Sequence, residues 1–316
     1  MTLQSFIHYK KYLKYRYCFA KFFSDIIKKL KLYSLSIKLN NFFNEGIQLY
    51  LQDRYLTVLR KAEEDVKSIT LEETKYDNSI FVCWLQGIES APNIVKACYN
   101  QLKENTNGRN IVFITEENLT TIIKFPEYII KKFREGKITK THLTDLIRMQ
   151  LIYEFGGAWI DSTIYTTMPL HNKIFESDFF TIKRNNSSPF YVPKGKWTAY
   201  FLASKKGCPF GYIAKTILWE YWKNNSELID YFLIDHIIKF CYENSSICRY
   251  LIDSVPINNT KCDFFKGNYN NKYDENQWSK IKQETTIFKL SYKEAIKTNL
   301  SETYYAKLFN SKNWKN

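Results

Sequence analysis

Thr139–Ile164 reads TKTHLTDLIRMQLIYEFGGAWIDSTI, and its change of rhythm halfway along decides the fold class. Leu143, Leu146, Ile147 and Leu151 recur at helical spacing and form one apolar stripe, which stops at Gly156-Gly157. Asp145 and Arg148 are an i, i+3 pair on another side of that helix, so they are neighbours away from the stripe. Alone they read as a surface ion pair of little energetic value. The segment that follows changes this. Two glycines permit a tight turn and close backbone approach, and Ala158-Trp159-Ile160 is a short apolar run that ends on Asp161. In an extended chain Asp161 and Thr163 face one side and Ser162 the other. A carboxylate at the tip of a buried strand is costly without a cation or donors to meet it. Mg²⁺ or Mn²⁺ bridging a diphosphate is one such partner, because hard cations take oxygen ligands.

Upstream, Ile80-Phe81-Val82-Cys83-Trp84-Leu85 is a continuous apolar run of the kind a buried parallel strand requires. Gly87 and Pro92 bracket a turn. Ile94, Val95, Cys98, Tyr99 and Leu102 then follow helical spacing until Asn107-Gly108, and Ile111–Thr115 is a second β-run. The spacing predicts one βαβ unit over 80–115, and such units build open sheets that bind ligands at the carboxyl ends of their strands. With no GxGxxG and no P-loop, a dehydrogenase or P-loop NTPase is disfavoured. Further on, helices are expected over 126–134, 213–222, 228–242 and 247–252, and strands over 179–182 and 198–202. Beyond about residue 262 the chain is polar, Asn-rich and without a readable period. The organisation expected is a helical extension over 1–76 followed by an α/β domain over 77–316.

In the extension, Phe6, Tyr9, Leu13 and Tyr17, then Phe22, Phe23, Ile26, Ile27 and Leu30, recur at helix-like spacing among lysines. That pattern suits a helix lying on an anionic membrane surface; helices packed on the main domain with lysines in solvent fit it equally. The 316 residues are 45% hydrophobic and 25% charged, which is ordinary for a globular chain able to bury a sizeable core. The formal net charge of +14 favours anionic partners such as nucleic acid, acidic headgroups or phosphorylated substrates. A coding bias that enriches Lys, Asn and Ile together explains it as well. Nucleic acid is not expected as a partner: there is no zinc-finger or RRM motif, and the lysines are spread along the chain. Seven cysteines, an odd number without a CxxC pair, indicate neither a disulfide framework nor a cysteine zinc site and suit a reducing cytosol. No 18-residue apolar run is present, and the opening MTLQSFIHYKKYLKYRY lacks the apolar core and cleavage site of a secretory signal. The location expected is cytoplasmic, with the inner face of the plasma membrane as a docking place.

The run TDLIRMQLIYEFGGAWIDSTI (144–164) resembles the SDLLR-x-x-x-L-x-x-x-GG-x-W-x-D signature of capsular polysaccharide synthesis proteins. These are similar to the wider, glycosyltransferase family 32-like group of DXD-containing sugar transferases, which includes the glucosylating clostridial toxins and yeast mannosyltransferases. FVCWLQGIESAPNIVKACYNQLKENTNGRNIVFIT (81–115) resembles the same group's first βαβ, with its W-x-Q-G and A-P-x-x-V-x-x-C elements. The likeness spans about residues 79 to 240 and is best from 139 to 170. It implies a GT-A-like, Rossmann-like mixed central sheet with flanking helices. The activity implied is retaining transfer of a hexose from a UDP- or GDP-sugar to a cell-surface polysaccharide or lipid-linked glycan acceptor. A protein acceptor, as in the toxin relatives, is the alternative within the same fold.

Carried over residue by residue, the resemblance puts Trp84 near the nucleotide base and Gln86 at the donor. It puts Thr144, Asp145 and Arg148 at the donor sugar and its phosphate, with Arg148 able to make a bidentate phosphate contact. Gly156 and Gly157 fall at the donor, and Asp161 faces the ribose and a divalent metal, Mn²⁺ or Mg²⁺. Two departures stand out. Thr144 replaces Ser and keeps a hydroxyl, and Thr163 stands where the wider group has its second Asp, which weakens the metal site. Asp178, Asp235 and His236 are the candidates to complete a ligand set. No nucleophile or catalytic base is indicated.

Overall fold

Residues 3–65 contain no proline and a single glycine, so little in them interrupts a helix. The computed structural model, which describes residues 2–185, 187–297 and 300–309, forms three helices there. They are α1 (Leu3–Lys10), α2 (Tyr15–Lys29) and α3 (Tyr33–Asp65). The chain reverses between α2 and α3 through Lys31, which sits at φ 61°. Buried Ser24 and Ser36 each donate a hydroxyl to the other's carbonyl, at 2.8 and 2.9 Å, and pin the two helices together. Gly46 lets the Tyr17 ring lie against the α3 backbone; a β-carbon there would stand 2.5 Å from the ring.

The expected βαβ unit follows as β1 (Ile80–Cys83), α4 (Asn93–Glu104) and β2 (Ile111–Ile114), with β1 and β2 parallel. Next come α5 (Leu119–Ile122), α6 (Glu127–Arg134) and α7 (Lys140–Glu154), then β3 (Gly157–Ile160), β4 (Ile164–Thr166), α8 (Lys173–Glu176), β5 (Phe179–Thr181) and β6 (Phe201–Ser204). The remainder is α9 (Pro209–Asn224), α10 (Leu233–Asn244), α11 (Ser246–Asp253), α12 (Glu275–Glu284), β7 (Ile287–Lys289) and α13 (Tyr304–Leu308).

The central sheet has the order β2-β1-β3-β6-β5. β1 runs parallel to both neighbours, and β6 is antiparallel to β3 and β5, so β6 alone opposes the common direction. β4 and β7 form a separate antiparallel pair. The molecule is therefore mixed α/β, with helices flanking the sheet. β6 starts later than its expected span at 198 because Thr198 and Ala199 are engaged elsewhere. The Thr198 amide donates to Thr181 Oγ1, and the Ala199 carbonyl accepts from Arg148. α10 likewise starts at Leu233, after Asp230 has accepted the Phe232 amide and the Tyr9 hydroxyl.

One hydrophobic core joins Ile47 and Leu51 of α3, Phe81 of β1, Trp159 of β3 and Ile213 of α9. The N-terminal helices are thus built into the main core. The outer face of α2 stays open, with Tyr15, Phe19, Phe23, Ile26 and Leu30 exposed at helical spacing. Among the described residues no helix is long and apolar enough to cross a membrane. All seven cysteines are buried and unpaired with one another.

Candidate active site

β3 runs parallel to β1, with Ile80 opposite Ala158 and Phe81 opposite Trp159. Extended by two residues, that register sets Asp161 beside Cys83 at the carboxyl edge of the sheet. Asp161 ends the strand in a turn: its amide donates to the Tyr200 carbonyl and its own carbonyl accepts the Ile164 amide, each at 2.9 Å. Its Oδ1 accepts from Trp159 Nε1 at 2.9 Å and lies 3.6 Å from Arg148 Nη2. The same Nη2 is 3.1 Å from Asp145 Oδ1. One guanidinium therefore joins the two carboxylates that the sequence singled out, from α7 and from the tip of β3.

Asp145 and Arg148 are not a surface pair, since their side chains are 8% and 7% exposed. Arg148 also donates from Nη1 to the Ala199 carbonyl at 2.6 Å and from Nε to the Thr144 carbonyl at 3.2 Å, and it lies over the Trp159 ring. Burial pushes the Asp145 carboxyl up to about 7, with Asp161 and Asp235 adding to the rise and Arg148 opposing it. Burial likewise raises Asp235 to about 6, although Trp197 Nε1 donates to it at 3.0 Å. For Asp161 burial also acts upward, but Lys289 and Arg148 outweigh it and hold the group below the usual carboxylate range.

Lys289, at the end of β7, was not anticipated. Its Nζ donates to Asp161 Oδ2 at 2.9 Å and to Thr163 Oγ1 at 2.7 Å, and it lies over the Tyr200 ring. The pairing of β7 with β4 brings it there, with Lys289 opposite Ile164. On the same edge of the sheet, at the carboxyl ends of β1 and β2, a cavity of about 400 Å³ is lined by Leu85, Gln86, Gly87 and Thr115 with Glu116 and Glu117. A larger cavity of about 610 Å³ contains Asp178, Lys205 and Gly207 and lies at the other end of β3, away from Asp161.

With that geometry in place, comparison with known proteins is decisive at the family level. The profile described as "Capsular polysaccharide synthesis protein" matches residues 28–308. The chain belongs to this family. Membership ties it to capsular polysaccharide synthesis and to a biosynthetic role. No curated protein and no solved structure gives a significant match. The matched span includes Asp145, Arg148, Asp161, Thr163 and Lys289.

Within this capsular polysaccharide synthesis protein the expected site residues separate. Asp145, Arg148, Asp161 and Thr163 converge, and Thr144 adjoins them, its Oγ1 3.4 Å from Arg148 Nη2. Gln86 lines the cavity at the carboxyl ends of β1 and β2. The Trp84 ring meets Tyr292 edge-on at 5.6 Å, and its Nε1 is buried without a partner among the described residues. Gly156 and Gly157 depart from expectation. Their close approach is to the chain itself, where added β-carbons would stand 2.5 Å from the Lys206 amide and 2.1 Å from the Ser79 carbonyl oxygen. They lie at the start of β3, four and five residues before Asp161, about 13 to 17 Å away at the usual rise of a strand. Arg148 also differs: its fork is committed to protein acceptors and does not open toward solvent.

The candidate metal ligands separate too. Asp235 borders the cluster, close enough to Arg148 and Asp145 for their charges to be felt. His236 pairs with Gln48 of α3 at 3.3 Å and with Asp230 at 3.7 Å. Asp178 bonds Lys205 at 2.8 Å at the far end of β3, and its side chain is 68% exposed. No group of three His, Cys, Asp or Glu suited to a metal ion occurs among the described residues. Around Asp161 both carboxylate oxygens and the Thr163 hydroxyl already face nitrogen donors. That donor set does not fit an octahedral cation, which needs several free oxygens.

Proposed function

We propose that the chain is a glycosyltransferase of GT-A type that moves a hexose from a UDP- or GDP-sugar, with retention, onto a cell-surface polysaccharide or lipid-linked glycan. The observation carrying this reading is the meeting of Asp161, Arg148 and Asp145 at the carboxyl edge of the sheet, the edge on which the cavity lined by Gln86 also lies. Open α/β sheets bind nucleotides at this edge. β6, the reversed strand among β3 and β5, agrees with the mixed sheet expected of a GT-A transferase. Breaking the bond between the sugar and the diphosphate builds negative charge on the leaving group, and preorganised charges stabilise it without reorganisation. In this reading Asp161 accepts a donor hydroxyl while Arg148 fixes the rotamers of Asp161 and Asp145. The Asp161→Asn protein should remain folded and lose donor hydrolysis and transfer; full activity in that variant would remove the assignment.

The acceptor side is proposed to be reached at an anionic membrane. Residues 1–38 carry nine Lys and Arg and one acid, Asp25. Lys10, Lys14, Lys28, Lys29 and Lys31 are exposed, as is the apolar stripe of α2. A helix with this composition settles into the headgroup layer of an anionic bilayer, where a lipid-linked glycan would be presented. On this reading the protein works at the inner face of the plasma membrane.

A further inference from the structure

A diphosphate leaving group needs positive charge, and a D-x-D transferase holds it on a divalent cation bound by two carboxylates. In this chain the second carboxylate is a hydroxyl, Thr163, and an ammonium lies between the two motif side chains. We infer that Lys289 is the cation of this site, so that its Nζ neutralises the donor diphosphate in place of a divalent metal. The inference rests on the nucleotide-sugar reading above and deepens it.

Three features of the geometry agree. Nζ lies 2.9 Å from Asp161 Oδ2 and 2.7 Å from Thr163 Oγ1, the side chains at the two motif positions. An ammonium has three donors; two are engaged here, which leaves one for a phosphate oxygen. Exposure points the same way. The side chains of Lys289 and Asp161 are 27% and 24% exposed, against 7% for Arg148 and 8% for Asp145. Arg148 is therefore the buried positioning residue, and Lys289 is the positive group at the mouth of the cluster. Its setting is also rigid. The Lys289 amide donates to the Cys262 carbonyl at 2.8 Å, the Leu290 amide donates to the Thr163 carbonyl at 2.9 Å, and Tyr200 supports Nζ from below its charge. Replacing the acid of the motif by Thr follows from this arrangement. A single carboxylate balances a single ammonium, whereas a second would hold the lysine too tightly to share it with phosphate.

The test uses the full-length protein in buffer with EDTA and, separately, with Mn²⁺. Binding of UDP and GDP is measured by calorimetry beside that of uridine and guanosine, together with hydrolysis of UDP- and GDP-sugars. Wild type should bind one diphosphate and hydrolyse its sugar equally well with EDTA and with Mn²⁺. Lys289→Gln should weaken diphosphate binding about 10- to 100-fold, the loss of a charge-assisted contact, and leave nucleoside binding within about twofold. Lys289→Arg should recover part of the difference. Circular dichroism checks that each variant is folded, and nucleoside binding by Lys289→Gln shows that its base site is intact. Wild-type binding and hydrolysis that vanish in EDTA and return with Mn²⁺ would overturn the inference and leave the transferase reading standing. Unchanged diphosphate affinity in Lys289→Gln would overturn it as well. Failure of wild type to bind any of the four probes in either buffer would sink the nucleotide-sugar reading itself, and Lys289 with it.

Discussion

Asp145 is a carboxyl group that holds a proton more tightly because the chain has folded around it. Its value rises to about 7 and that of Asp235 to about 6, both chiefly through burial. Between about pH 4 and pH 7 the folded protein thus keeps protons that the unfolded chain has released. The stability these groups contribute is complete below about pH 4 and is lost as pH rises through the folded values. Wild type should therefore melt at a lower temperature at about pH 8 than at about pH 5, and Asp145→Asn should show a flatter profile between them. Asp161 has the opposite sign: held low by Lys289 and Arg148, it loses its stabilising contribution only in acid. At about pH 8, where Asp145 is ionised, Arg148→Ala would leave that carboxylate buried without its partner, a loss of about 3–5 kcal/mol by the usual cost of breaking a buried pair. Urea unfolding reads that cost directly. The pairing of Asp145 with Arg148 was legible from their spacing. Its burial was not, because that depends on Trp159 of β3 and on the Ala199 carbonyl in the segment before β6.

At the level of elements, the glycine pair before β3 has a structural purpose that the sequence misdirected. Gly157 has φ +74° and would place a β-carbon 2.1 Å from the Ser79 carbonyl oxygen, whereas Gly87, at φ +80°, has open space around it. Gly87→Ala should cost about 1–3 kcal/mol, because φ +80° with ψ 153° is a backbone region that essentially only glycine occupies. Gly157→Ala adds a backbone clash and should lower the melting temperature considerably more. Comparing the two melting curves separates strain from collision. Local periodicity revealed the βαβ unit, α6, α7, α9 and α11 because each carries its own apolar stripe. β7 stayed hidden for the converse reason. It is three residues long, its partner β4 lies more than a hundred positions earlier, and Lys289 interrupts a run that otherwise reads as core. The open stripe on α2 gives a further expectation. Phe19→Ser with Phe23→Ser should reduce co-sedimentation with vesicles rich in anionic lipid and leave the melting temperature nearly unchanged, since both rings are 48% exposed.

Across the whole molecule, the N-terminal helices and the sheet share one hydrophobic cluster. Ile47 is fully buried within it. Ile47→Ala should therefore destabilise the entire protein by about 2–5 kcal/mol and shift a single calorimetric transition. A separate early transition for residues 1–76 would instead show an independently folding extension. The cluster is continued by α3 against α9 and α10, with Gln48 reaching the ring and the carbonyl of His236. Through α10 the N-terminal helices also brace Asp235, at the border of the proposed site.

The seven buried cysteines give the folded state an unusual chemical silence. Burial raises the thiols of Cys83 and Cys208 to about 12, so hardly any of either is thiolate at neutral pH. An alkylating reagent should add almost no mass to the intact protein. Each thiol that does become tagged then marks the opening of its own stretch of chain, from Cys18 in α2 to Cys262 before β7, and the protein carries its own built-in stopwatch for unfolding.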